Sequence, residues 1–148
     1  MIDLHSHILP GLDDGAVDLA DALEIARAAA ADGITAIAAT PHVREDYPTT
    51  ADAMESGVRH LRAGLEREGI AIELLPGGEV SLEQLDRLSH DELRRFGLGG
   101  NPNYLLIETP YWDWPPPFSE IVSGSSVMVE TTSTTPRELE LVLFCSGP

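Results

Sequence analysis

The chain is 148 residues long and carries 25 acidic side chains against 9 basic ones, a net charge of −16 with histidine neutral. That length suits one domain with one core, and the charge excludes nucleic-acid binding through a basic face while suiting a solvated surface and divalent cations. The single cysteine, Cys145, excludes an internal disulfide, and no stretch approaches the ~18 apolar residues of a membrane span, so a cytoplasmic protein without membrane insertion is the expectation.

Met1 to Leu4 is a short apolar run of the kind that opens a parallel sheet. A loop holding Pro10, Gly11, Asp13, Asp14 and Gly15 follows it. Leu19, Leu23, Ile25, Ala26 and Ala29 recur at helical spacing and predict a helix over Asp18 to Asp32, with Gly33 closing it. Ile34 to Thr40 reads as a second buried strand. Met54, Val58, Leu61 and Leu65 place a second helix over Thr50 to Glu68, closed by Gly69. Ile70 to Leu75 is a third strand, from which Pro76-Gly77-Gly78 turns the chain away. Shorter helical segments around Leu82 to Leu88 and Asp91 to Phe96 lead to a fourth strand, Tyr104 to Ile107. Strand and helix alternate about every 30 to 35 residues, the pattern of βα units in a mostly parallel α/β architecture. Beyond Pro117 the pattern weakens: the small polar runs Gly124 to Ser126 and Thr131 to Thr135 leave room between them for one short strand, and the tail is not expected to continue the alternation.

Five side chains stand out along this frame. His5 and His7 are two residues apart, so on an extended backbone both imidazoles leave the same face and can close on one cation. His42 follows the second strand, Glu79 the third, and Glu108 ends the fourth. Each strand thus delivers a metal-competent group at its C-terminal end, where α/β barrels build their active sites. Glu108, directly behind Leu105-Leu106-Ile107, would carry an unpaired charge beside an apolar strand unless a cation offset it. Asp13 and Asp14 offer further oxygens or serve a turn and helix start. His60 and His90 fall inside helical segments and read as surface residues. Mixed imidazole and carboxylate donors suit Mn, Fe or Zn better than Ca or Mg. Their number exceeds what one catalytic zinc uses, so more than one ion and hydrolysis of a phosphate ester are the chemistry they fit. No phosphate-cradling glycine loop, nucleophilic serine elbow or cysteine near a strand end is present.

The opening MIDLHSHILPGLDDGAVDLADALEIARAAAADGITAIAATPHV, together with LLPGGEV and YLLIETPYWDWPPPF, resembles the bacterial metal-dependent protein-tyrosine phosphatases of capsule and exopolysaccharide synthesis, members of the polymerase-and-histidinol-phosphatase (PHP) superfamily. The resemblance runs over roughly Met1 to Phe118. It implies a parallel (β/α)7-type PHP barrel, of which about the first four βα units are present, and a manganese-type trinuclear cluster acting on phosphotyrosine of a protein partner, a bacterial tyrosine kinase. Carried over by position, it implies that His5 and His7 hold one ion, that Glu79 bridges it to a second also held by Glu108, and that His42 holds the third with an aspartate of the Asp13-Asp14 pair, Asp14 in preference to Asp13.

The family's later ligands, a histidine in an HPER-type motif and an aspartate and histidine nearer the C-terminus, have no counterpart, since no histidine follows His90. Residues 1–118 are therefore expected to form the N-terminal part of the phosphatase barrel and 119–148 a divergent tail, frameshifted or disordered. Four units of an open sheet leave a strand edge unpaired, which invites pairing with another chain or a homo-oligomer. Two rival readings are a phosphatase of small phosphomonoesters of the histidinol-phosphate type and a non-catalytic fragment that binds a partner.

Overall fold

In the computed structural model the described residues are 1–108, 127–128 and 139–144. The strand Ile2–Ser6 (β1) leads into helix Leu19–Ala31 (α1) and strand Ala36–Ala39 (β2). Asp18 begins α1 by accepting a hydrogen bond from the Asp21 amide, satisfying one of the free N–H groups of the first turn. Thr50 does the same for helix Ala51–Glu68 (α2) through the Ala53 amide, and Gly69 closes α2 in a left-handed conformation. Both helices therefore lie within a residue of the bounds their sequence predicts. The stripe Met54, Val58, Leu61 and Leu65 is buried, as helical spacing requires of a core-facing surface, while His60 and His90 are exposed.

Every named strand pairs in parallel with its neighbours, which bears out the α/β reading. The second and third strands are each broken in two. After β2, Pro41 interrupts the ladder and His42–Val43 (β3) resumes it; after Glu73–Pro76 (β4), Gly77 and Gly78 intervene before Glu79–Ser81 (β5). Short helices Leu82–Leu85 (α3) and His90–Arg95 (α4) then lead to Tyr104–Glu108 (β6). The bodies of the strands form one sheet in the order β1-β2-β4. The resumed tips join β6 in a second, β3-β5-β6-β8-β7, whose last two strands are Leu139–Phe144 (β8) and Val127–Met128 (β7). Proline supplies no amide to a ladder, and a glycine pair lets the chain change direction against close neighbours. A Cβ on Gly78 would lie 2.6 Å from Phe96 Cδ1, so the buried Phe96 ring packs where a side chain would stand.

The tail departs from expectation in one respect. Val127–Met128 (β7) is the short strand foreseen between the two polar runs, but Leu139–Phe144 (β8) pairs in parallel along the whole of β6, Tyr104 opposite Glu140 through Glu108 opposite Phe144. The parallel pattern is thus resumed by one more strand than the sequence predicts. The expected boundary at residues 118 and 119, the stretch TPYWDWPPPF and Cys145 lie outside the described residues. Among the described residues no helix is long and apolar enough to cross a membrane.

Phe96 is 1% exposed and Val17 78%. Phe96→Ala is therefore expected to lower the unfolding free energy by about 3–5 kcal/mol in urea titrations followed by circular dichroism. Val17→Ala is expected to stay within about 0.5 kcal/mol of the parent chain.

Candidate metal centre

The two sheet breaks bring the ligand-type side chains to one place. Thr40, fully buried, stitches β1 to β2 where β1 irregularly shifts register: its amide donates to the Ser6 carbonyl at 2.8 Å, and its hydroxyl accepts from the Ser6 amide at 2.9 Å. Pro41 lacks an amide but its carbonyl accepts from the Glu79 amide at 3.0 Å. These bonds fix the backbone of His5, His7, His42 and Glu79 relative to one another before any side chain is placed.

His5 and His7 then meet at 3.2 Å between their Nε2 atoms. His5 Nε2 lies 3.3 Å from Glu79 Oε1, and His7 Nε2 lies 3.4 Å from Glu79 Oε2. On the far side of the same carboxylate, His42 Nδ1 is 2.9 Å from Glu79 Oε2 and 3.5 Å from Glu108 Oε2, while His42 Nε2 is 3.5 Å from Asp14 Oδ1. All six residues expected from sequence and resemblance, His5, His7, Asp14, His42, Glu79 and Glu108, are brought together. They fall into three overlapping groups whose ligand atoms lie within 4.8 Å of one another: His5, His7 and Glu79; His7, Asp14 and His42; His42, Glu79 and Glu108.

The residues fit divalent cations on two observations. Glu79 is 2% exposed and Glu108 8%, and burying two carboxylates side by side is costly without compensating positive charge. Moreover His42 Nδ1, Glu79 Oε2 and Glu108 Oε2 are buried atoms without a hydrogen bond, although they crowd within 2.9 to 3.5 Å. Donor atoms that converge without pairing are what a shared cation requires of its ligands.

The electrostatics of the protein groups point the same way. Burial alone would raise the Glu79 carboxyl, but His42, His5 and His7 around it hold it well below the usual carboxylate range. Burial likewise opposes a charge on His7, yet its hydrogen bond to Asp13 and the Glu79 carboxylate close by raise it to about 10. A cation binding at His7 Nε2 would take the place of that proton and its charge.

Asp13 is the site residue that sequence reasoning leaves undecided. Its side chain is fully buried and its Oδ2 accepts from His7 Nδ1 at 2.8 Å and from the His42 amide at 2.9 Å, while Oδ1 accepts from the Gly15 amide at 3.0 Å. Burial works against its charge, but the His7 bond and these backbone amides keep its carboxyl low. An imidazole held this way through Nδ1 presents Nε2 to a metal in a fixed tautomer. Asp14, half exposed at 56%, is the one of the pair that faces the ligand group. Gly15 makes this possible: a Cβ there would lie 2.0 Å from the His7 carbonyl oxygen, so only glycine lets the loop press against the His7 backbone.

The chain matches the family described as capsular polysaccharide synthesis, CpsB/CapC, over residues 1–122. It is 40% identical over 122 residues to the tyrosine-protein phosphatase YwqE of Bacillus subtilis, covering 81% of this chain and 47% of that protein. With the tyrosine-protein phosphatase CpsB of Streptococcus agalactiae it shares 28% over 109 residues, 73% of this chain and 44% of the relative. Among solved structures, it superposes with a TM-score of 0.66 and 38% identity on one of the set comprising YwqE from Bacillus subtilis and CpsB from Streptococcus pneumoniae, described as unique metal-dependent tyrosine phosphatases. That superposition covers 81% of this chain and 48% of the other. The chain thus spans about half the length of the relatives it matches.

Asp13→Asn keeps the shape of the side chain and removes the charge that orients His7. It is expected to weaken Mn(II) binding by about 10–100-fold in calorimetric titration.

Proposed function

Because the chain belongs to the CpsB/CapC family of capsular polysaccharide synthesis, we propose that it carries the N-terminal share of a metal-dependent protein-tyrosine phosphatase site. The observation that carries this reading is the set of three overlapping donor groups sharing His7, His42 and Glu79. Each group offers three protein donors among the described residues, which leaves positions open to water and to a phosphoryl oxygen. Two or three divalent ions, manganese first with iron or zinc as alternatives, are the proposed cofactors. The substrate is phosphotyrosine of a protein, with a tyrosine kinase of capsule or exopolysaccharide synthesis as the proposed partner, in the cytoplasm.

Hydrolysis breaks the bond between phosphorus and the phenolic oxygen, forms one between phosphorus and the oxygen of water, and leaves the proton balance with the phenol and the released phosphate. Divalent ions held here would supply Lewis acidity toward the phosphoryl oxygens and toward water. The chain's own residues do the rest. Glu79, with an oxygen toward His5 and the other toward His7 and His42, would offer a carboxylate oxygen to each of two donor groups. His5 and His7 would hold one ion, Glu108 a second, and His42 with Asp14 a third. Asp13 keeps His7 Nε2 turned inward.

Two assays test this reading with added Mn(II): phosphate release from a tyrosine-phosphorylated peptide, and release from histidinol phosphate. The expected result is turnover of the peptide in preference to the small ester, and its fall by more than about 100-fold in Glu79→Gln, which removes a bridging oxygen's charge. Faster release from histidinol phosphate would favour the small-ester reading. No release from either, with no manganese retained after dialysis, would leave a non-catalytic fragment.

A further inference from the structure

The loop after β3 makes contacts that the ligand set does not account for. Residues 44–47 turn back on themselves, the Arg44 amide donating to the Tyr47 carbonyl at 3.1 Å and Pro48 bridging to Val43. This turn puts the side chains of Arg44 and Tyr47 together, with the guanidinium carbon 5.2 Å from the ring centroid. Arg44 Nη1 donates to Glu108 Oε1 at 2.5 Å, and Arg44 Nε lies 2.8 Å from Asp46 Oδ1. Tyr47 in turn stacks on the His42 ring, centroids 5.6 Å apart and planes at 16°.

From Glu108 through Arg44 and Tyr47 to His42, these contacts close around the group His42, Glu79 and Glu108. We infer that Arg44 and Tyr47 are positioning residues of this metal group, Arg44 by holding one oxygen of Glu108 and Tyr47 by fixing the plane of His42.

A carboxylate has two equivalent oxygens and a terminal torsion with broad, two-fold preference, so its free oxygen is placed only if the other is held. Arg44 holds Oε1, and Oε2 is left buried, without a hydrogen bond, 3.5 Å from His42 Nδ1. The guanidinium also sets a positive charge beside the Glu108 carboxylate, which is 8% exposed and shares its donor group with the buried Glu79. With its side chain 22% exposed, Arg44 is sheltered enough for this pair to be stronger than a surface one. Arginine fits the task better than lysine, because one planar group meets Glu108 and Asp46 on different edges while its face lies on Tyr47. Elsewhere, Arg27 pairs with Glu68 at 2.8 Å on the surface, far from any donor group, and provides a control.

This inference rests on the metal-centre reading, and the test separates the two. Mn(II) is titrated into the stripped full chain by calorimetry, with the paramagnetic resonance signal of free Mn(II) giving the stoichiometry, for the parent, Arg44→Met, Arg44→Lys, Tyr47→Leu and Arg27→Met. The expected outcome is an about 10–100-fold loss of affinity in Arg44→Met confined to one class of bound ion, a smaller loss in Tyr47→Leu, and partial recovery in Arg44→Lys. Arg27→Met is expected to bind as the parent does. Since Arg44→Met also unpairs Glu108, the Co(II) absorption spectrum of Arg44→Lys, which keeps the charge, gives a second readout. A changed band pattern supports the positioning role. Parent-like affinity, stoichiometry and Co(II) spectrum in both Arg44 variants would overturn it while the metal centre stands. A parent chain that binds no Mn(II) would overturn both.

Discussion

Burying the carboxylate of Glu79 is the constraint around which the rest of this molecule is arranged. A glutamate 2% exposed and surrounded by apolar strands is far more costly than any single core contact is favourable, unless positive or hydrogen-bonding groups meet it from several sides. Here three imidazoles do so, His5 and His7 from the end of β1 and His42 from β3. They come from two different strand tips, so the energetic demand of one side chain becomes a demand on the relative placement of separate elements. The Thr40 hydroxyl against Ser6, and the Pro41 carbonyl against the Glu79 amide, answer that demand in the backbone.

The broken strands are part of the same solution. Were β2 and β4 continuous, ordinary alternation would send every second residue to the same face along a single line. Pro41 and the pair Gly77-Gly78 instead let His42 and Glu79 restart in a different ladder, directly paired with each other and, through β5, with β6 and its terminal Glu108. Phe96, packed where a side chain on Gly78 would stand, holds the second break from outside.

Much of this was legible in the residues alone, and what was not has identifiable causes. Helix ends could be read because Asp18, Thr50 and Gly69 are local signals that act within a turn of where they stand. The convergence of His5, His7, His42, Glu79 and Glu108 could be read because each lies at or near a strand end, and the family resemblance agrees with the family found. The short strands β3 and β5 were not foreseen: two and three residues long, they sit behind a proline and two glycines that ordinarily mark the end of a strand, and only pairing with distant segments makes them strands. Asp13 and Asp14 are adjacent and chemically alike, so their division of labour is decided by the contact of Gly15 with His7. Arg44 carries no local signal either, since Glu108, its partner, is 64 residues away. In the tail, the run Leu139 to Phe144 is apolar enough for a strand, but its parallel pairing with β6, more than 30 residues earlier, leaves no local signal.

The separation of strand bodies from strand tips divides the molecule into a foundation and a rim. Ala36–Ala39 and Glu73–Pro76 belong to the foundation, whose neighbours are one another and β1; the chain's chemistry stands on His42–Val43 and Glu79–Ser81. His5, however, stands on β1 within the foundation, while His42 and Glu79 stand on the rim. The cluster therefore exists only where the two sheets meet, and a slip of one ladder against the other would part His5 from Glu79.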